Sequence, residues 1–117
     1  MIKRFNIGID IVKVKKFEDK PFSKNKIFYK KIFLESEIRY CLKYKNSAER
    51  FAGKFALKEA VIKSLDRKIN FSEIETSHLK SKPIVNLKKF DGKYDFISSL
   101  SHEKDFSIAV VICQKIK

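Results

Sequence analysis

Apolar residues recur at every second position from Phe5, at Phe5, Ile7, Ile9 and Ile11, and this period of two marks a half-buried strand. Asn6, Gly8, Asp10 and Val12 then face the other way. Residues 13–31 mix Lys with Val14, Phe17, Phe22, Ile27 and Phe28, a pattern of short helical turns around a break at Pro21. Residues 36–45 read as a helix, with Ile38, Cys41 and Leu42 at helical spacing. Asn46 followed by Glu49 is a capping-box arrangement, with Asn where Ser or Thr is usual. It opens the longest predicted helix, residues 47–65, rich in Ala, Lys, Glu and Phe and free of Pro. Strands are predicted at 69–76 (Ile69, Phe71, Ile74) and 83–87, a turn at Asp91-Gly92, and further strands at 94–101 and 106–113. The last of these is nearly continuous in apolar residues, as in a central strand covered on both faces. The pattern predicts one α+β domain over residues 1–117, a mostly antiparallel sheet packed around one long helix, with no repeat, linker or low-complexity segment.

Composition agrees with a packed domain. Of 117 residues 44% are hydrophobic, with eleven Phe and four Tyr against three Gly and two Pro, which excludes disorder. A chain of this length buries roughly two-thirds of its unfolded surface and needs no disulfide or metal for its core. Cys41 and Cys113 form neither a zinc-site spacing nor a disulfide framework, so a reducing cytoplasm is expected. No apolar run reaches the roughly 18 residues of a membrane span, and charges interrupt the N-terminal apolar residues, unlike a signal peptide.

Charge narrows the partners without choosing among them. Lys and Arg number 27 against 14 Asp and Glu, a net +13, which attracts polyanions of any kind: nucleic acid, anionic lipid, a phosphorylated cofactor or an acidic protein. Arg occurs only at Arg4, Arg39, Arg50 and Arg67, and the bidentate reading of bases favours Arg, so sequence-specific DNA binding is disfavoured.

Two acids stand where apolar residues belong. On a helical wheel of about 100° per residue, Ala48, Phe51, Ala52, Phe55 and Ile62 share a stripe, and Glu59 falls near its middle. A carboxylate buried there or at the rim needs a partner. Lys63 is one candidate at i+4, and a purely structural Glu-Lys pair is one reading. Asp10 sits between Ile9 and Ile11 in the first strand, one pleat from Gly8, which leaves open space on that face unless the face is simply solvated. Together the two carboxylates can hold a hard divalent cation with phosphate oxygens completing its shell. Ser99-Leu100-Ser101-His102-Glu103 pairs Ser with His, but without a G-x-S-x-G elbow it does not mark a hydrolase. With no Walker A or G-x-G-x-x-G loop present, bound phosphates would rely on Lys side chains and a metal.

Gly8-Ile9-Asp10-Ile11, the helix segment FAGKFALKEAVIK from Phe51 to Lys63, and Ser99-Leu100-Ser101-His102 together resemble the three signatures of the holo-acyl-carrier-protein synthase family of 4′-phosphopantetheinyl transferases, in order, separation and total length. The resemblance implies that family's fold and a magnesium-dependent transfer of phosphopantetheine from coenzyme A to a serine of apo acyl carrier protein, releasing adenosine 3′,5′-bisphosphate in support of fatty acid biosynthesis. It implies Asp10 and Glu59 as metal ligands, with Glu59 helping to deprotonate the attacking serine. Lys63 would neutralise the leaving pyrophosphate oxygen, and Lys54, Ser101 and His102 would lie along the nucleotide. It further implies docking of the acidic carrier protein on a basic first helix, here Lys13, Lys15, Lys16, Lys20, Lys24 and Lys31, and a homotrimer with active sites at subunit interfaces. The sequence departs from the family at Lys16, often Arg, at Ser81, often Gly, and at Ser64, often Ala. One rival reading is a small basic nucleic-acid-binding domain presenting Phe22, Phe28, Tyr29, Phe33 and Tyr40. Another is a structural trimer that has lost activity.

Overall fold

The computed structural model describes residues 4–90 and 92–116. The chain runs β1 (Phe5–Lys13), α1 (Lys15–Glu18), a 3₁₀ turn (Phe22–Lys24), α2 (Lys26–Ile32), α3 (Glu35–Leu42) and α4 (Ser47–Ser64). A second 3₁₀ turn (Phe71–Glu73) then leads into β2 (Ile74–Leu79), β3 (Lys82–Leu87), β4 (Tyr94–Glu103) and β5 (Phe106–Lys115). Two antiparallel sheets form, ordered β1-β5-β4 and β2-β3. The α+β expectation and the long helix hold, and Asn46 caps α4 by accepting from the Glu49 amide at 3.4 Å. The strand expected at 69–76 begins only at Ile74, because a 3₁₀ turn takes up Phe71–Glu73. Of the expected Asp91-Gly92 turn, Gly92 has φ +76° and Asp91 lies outside the described residues.

The first strand is the other way round from its reading as a face turned to the core. Gly8, Asp10 and Val12 turn toward α4, while Phe5, Ile7, Ile9 and Ile11 are exposed, Ile9 to 60%. Register places Ile9 beside Val110 and Ser99, and Ile7 beside Ile112 and Ile97, the last 70% exposed. The result is an apolar sheet face on which nothing packs among the described residues. Strand β5 is central as expected but covered on one face only, through Ser107, Ala109, Val111 and Cys113.

Helix α4 is enclosed on more than one side, since the sheet packs against one flank and α3 and β2 against another. Gly53, Lys54, Ala56, Leu57, Lys58, Ala60, Val61 and Ser64 are buried as a consequence; of the predicted stripe Phe51 and Ala52 are buried with them, whereas Ala48, Phe55, Glu59 and Ile62 form its half-buried rim. Against α4 packs an aromatic cluster in which Phe17, Tyr29 and Phe33 meet the helix's own Phe51, with Tyr29 and Phe51 rings 4.7 Å apart. Both cysteines are free and buried.

Candidate active site

Gly8 determines how closely β1 and α4 approach. A Cβ at this position would lie 1.9 Å from the Ala60 carbonyl oxygen, so the space that the sequence suggested was open is filled by the helix backbone. Two residues along the same face, Asp10 meets the next turn of α4. Lys63 Nζ donates to Asp10 Oδ1 at 2.9 Å and to the Ile9 carbonyl at 3.0 Å. The lysine expected to pair with Glu59 thus bridges helix to strand instead, because β1 offers it two acceptors at once.

Glu59 remains half-buried beside this pair. Burial raises its pKa above the ordinary carboxylate range and the charge of Asp10 adds to the rise, while Lys63 and Lys16 oppose it. Lys16 stands over the Phe55 ring, 4.5 Å from its centroid, one turn before Glu59. Two carboxylates and two ammonium groups therefore converge from β1, α1 and α4. Among the described residues no cluster of three or more His, Cys, Asp and Glu forms. Two hard oxygen donors, each charged and unfavourable to the other, fit a magnesium ion whose remaining positions go to phosphate oxygens and water.

The other expected residues separate. His102 faces α4, resting on Gly53, with Nδ1 at 2.8 Å from Ser107 Oγ. Its neighbour Ser101 points to the opposite, uncovered face, in register with Ile108 and, beyond it, Ile11. Lys54 lies behind Tyr40, its Nζ 4.8 Å from that ring's centroid. It is buried, its Nζ donates to Thr76 Oγ1 at 2.9 Å and to the Thr76 carbonyl at 3.3 Å, and burial lowers its pKa.

What sequence reasoning missed is the cleft next to His102, about 530 Å³ in volume and walled by Tyr40, Tyr44, Arg50, His78 and Lys80. The Arg50 guanidinium lies 4.0 Å from the Tyr44 ring centroid, and Tyr40 stacks on His78 at 4.8 Å. Arg50 and Lys80 bring positive charge beside the flat faces of Tyr40, Tyr44 and His78, a combination suited to a nucleotide, and the pKa of His78 itself is lowered by burial and by Lys54 and Arg50. A sparse Arg one turn before Lys54 was the available signal. An adjoining groove of about 460 Å³ shares Ser81, Pro83 and Leu100 and runs on to Ile97 and Ser99 at the uncovered sheet.

The lysines expected to dock a carrier protein form a band and not one helix, because α1 has only four residues. Lys13 ends β1, Lys16 is on α1, Lys20 follows it, Lys24 is in the first 3₁₀ turn and Lys31 is on α2, all exposed. Of the aromatics in the nucleic-acid reading, Tyr29 and Phe33 are core residues, Phe22 and Phe28 pack against the core, and Tyr40 alone lines a cleft.

Residues 6–111 match the model of the 4′-phosphopantetheinyl transferase superfamily. The chain is 34% identical over 111 residues to a holo-(acyl-carrier-protein) synthase of Mycoplasma mycoides, covering 93% of this chain and 94% of that one. Its structure resembles the Bacillus anthracis holo-(acyl-carrier-protein) synthase in complex with CoA (3′,5′-ADP), with TM-score 0.81, 27% identity and coverage of 97% and 99% of the two chains. It also resembles the Helicobacter pylori holo-(acyl-carrier-protein) synthase in complex with coenzyme A, with TM-score 0.78, 32% identity and coverage of 92% and 99%.

Proposed function

The chain belongs to the 4′-phosphopantetheinyl transferase superfamily, and from that membership we propose that it transfers the 4′-phosphopantetheine group of coenzyme A to a serine of apo acyl carrier protein. The observation that carries this reading for these particular residues is the convergence of Asp10, Glu59 and Lys63 where β1 meets α4. The reaction joins the serine oxygen to the phosphorus that bears the pantetheine arm and breaks that phosphorus's bond to adenosine 3′,5′-bisphosphate. Such a displacement asks a protein for positioning and for compensation of negative charge.

Each residue has a task consistent with its surroundings. Glu59, its pKa raised by burial and by Asp10, is a better proton acceptor for the serine hydroxyl than an exposed carboxylate. Lys63 has a half-exposed side chain and can turn from Asp10 toward the leaving phosphate oxygen. Arg50, Lys80 and His102 suit the nucleotide's phosphates, with Tyr40 and Tyr44 offering flat faces. Asp10 and Glu59 would hold magnesium, which when bound supplies Lewis-acid stabilisation of the pyrophosphate.

The uncovered apolar sheet face supports a homotrimer with active sites at subunit interfaces, since a patch of this kind marks a contact surface. The band of lysines supports docking of an acidic carrier protein, which raises its association rate. Free, buried cysteines and the absence among the described residues of any helix long and apolar enough to cross a membrane are in keeping with a cytoplasmic enzyme serving fatty acid biosynthesis from one domain, residues 1–117. The test is mass spectrometry of apo acyl carrier protein incubated with the protein, coenzyme A and magnesium. A gain of one phosphopantetheine unit that is lost without metal and in Glu59→Ala is the expected result; no gain with folded protein and several carrier proteins refutes the reading.

A further inference from the structure

The helix signature contains a second lysine, Lys58, to which the chemistry above gives no task. It is completely buried, and so is its partner Glu37. Among the described residues this is the ion pair with both side chains at 0% exposure. Lys58 Nζ meets three acceptors: Glu37 Oε1 at 2.7 Å, the Ile32 carbonyl at 2.8 Å and the Phe71 carbonyl at 3.1 Å. An ammonium has three N–H donors, and each is satisfied from a different segment, the end of α2, α3 and the 3₁₀ turn before β2. Glu37 in turn accepts from the Leu34 amide at 2.7 Å and, through Oε2, from the Thr76 amide at 2.8 Å and Thr76 Oγ1 at 2.6 Å. One turn earlier on the same flank of α4, Lys54 reaches the same Thr76.

Stability alone does not account for this arrangement, because an apolar pair of similar volume is often as stable as a buried ion pair or more so. What the network supplies is direction. Apolar cores repacked at constant volume lose uniqueness before they lose stability, whereas three acceptors fixed on different segments favour one roll of the helix about its axis. Glu59 is the next residue. At a side-chain radius of about 5–6 Å, a roll of about 10° displaces a carboxylate by about 1 Å, and a misplacement of that size costs about 100-fold in rate.

We propose that Lys58 is a positioning residue for Glu59: its buried pair with Glu37 sets the roll of α4 and thereby aims the neighbouring carboxylate at Asp10. The inference rests on the transferase reading, in which Glu59 acts in transfer and in holding the metal. The test compares wild type with Glu37→Leu/Lys58→Met, an apolar pair of similar size, by thermal melting, by transfer kinetics and by Mn²⁺ titration followed by electron paramagnetic resonance.

The folded double variant is expected to lose about 10- to 100-fold in kcat and a similar factor in Mn²⁺ affinity, as for groups supporting a metal ligand, with KM for coenzyme A within about 3-fold. Wild-type kcat and Mn²⁺ affinity in the folded variant overturn the proposal, as does a kcat loss that merely parallels the unfolded fraction. Should the double variant not fold, Thr76→Val loosens the same network, and an unchanged kcat there overturns the proposal equally. A wild type that transfers nothing but binds Mn²⁺ more tightly than the variant refutes the transferase reading and leaves the positioning intact.

Discussion

Replacing Gly8 by Ala tests whether the strand–helix approach creates the site. The added Cβ falls 1.9 Å from the Ala60 carbonyl oxygen, where an ordinary contact begins at 3.4 Å, so 3.4 − 1.9 leaves a deficit of 1.5 Å. It also meets the Ala60 carbonyl carbon at 2.9 Å and the Ser64 amide nitrogen at 3.0 Å, all backbone atoms that cannot rotate away. Overpacking typically costs 1–3 kcal/mol, and a backbone clash belongs at the upper end. At about 4 °C per kcal/mol the melting temperature should fall by about 12 °C. Activity should fall further than stability. Strand β1 must retreat from α4, and Asp10, two residues along on the same face, retreats with it by about 1 Å, enough for a loss of about 100-fold in kcat. Circular dichroism melting and mass-spectrometric transfer assays well below the melting temperature separate the two effects. A Gly8→Ala protein with wild-type melting temperature and rate would refute the claim that contact between Gly8 and Ala60 holds Asp10 against α4.

Three further outcomes are expected. Glu59 has a folded-state pKa above the ordinary value, so in metal-free buffer its ionisation opposes folding as pH rises from about 4.5 through that raised pKa. Glu59→Gln should therefore melt higher than wild type above this window and equally below it, and added magnesium should raise the melting temperature of wild type but not of the variant. Ile9→Lys combined with Ile97→Lys places charge on the uncovered sheet face and should leave a folded monomer of low activity by light scattering and transfer assay; an intact oligomer would reject that face as the interface. Ser81 has φ 70°, a left-handed conformation that costs a non-glycine residue about 1 kcal/mol, so Ser81→Gly should raise the melting temperature by about 4 °C, read by circular dichroism.

Local signals were the legible part of this sequence. The length of α4, its freedom from Pro and its Asn46 cap are written within one segment, as is the alternation of β1. The two misplaced acids were visible for the same reason, since each breaks the pattern of its own element. The facing of β1 was not legible, because alternation is the same whether the apolar face meets a core or another subunit, and the close approach at Gly8 selected the opposite face for α4. The partner of Lys63 depended on a contact 53 residues away and the cleft on Tyr40, His78 and His102 meeting from α3, β2 and β4. For Lys54 the resemblance implied a place along the nucleotide and for Lys58 no role at all, and only the assembled α2, α3 and β2 reveal the acceptors that bury them.

The cleft beside His102 has its walls on two sheets that share no backbone ladder, since β2-β3 and β1-β5-β4 are separately hydrogen-bonded. A side chain joins them: Ser98 Oγ donates to the Pro83 carbonyl at 3.2 Å. Mechanically, the β2-β3 hairpin is a cantilever, anchored at its base by Thr76 to Glu37 and Lys54 and free at its Lys80-Ser81 tip. The width of the cleft is consequently a soft coordinate at the tip and a stiff one at the root. On the proposed transferase reading, a nucleotide held there would be gripped by a compliant jaw, whose relaxation would bound how fast it departs.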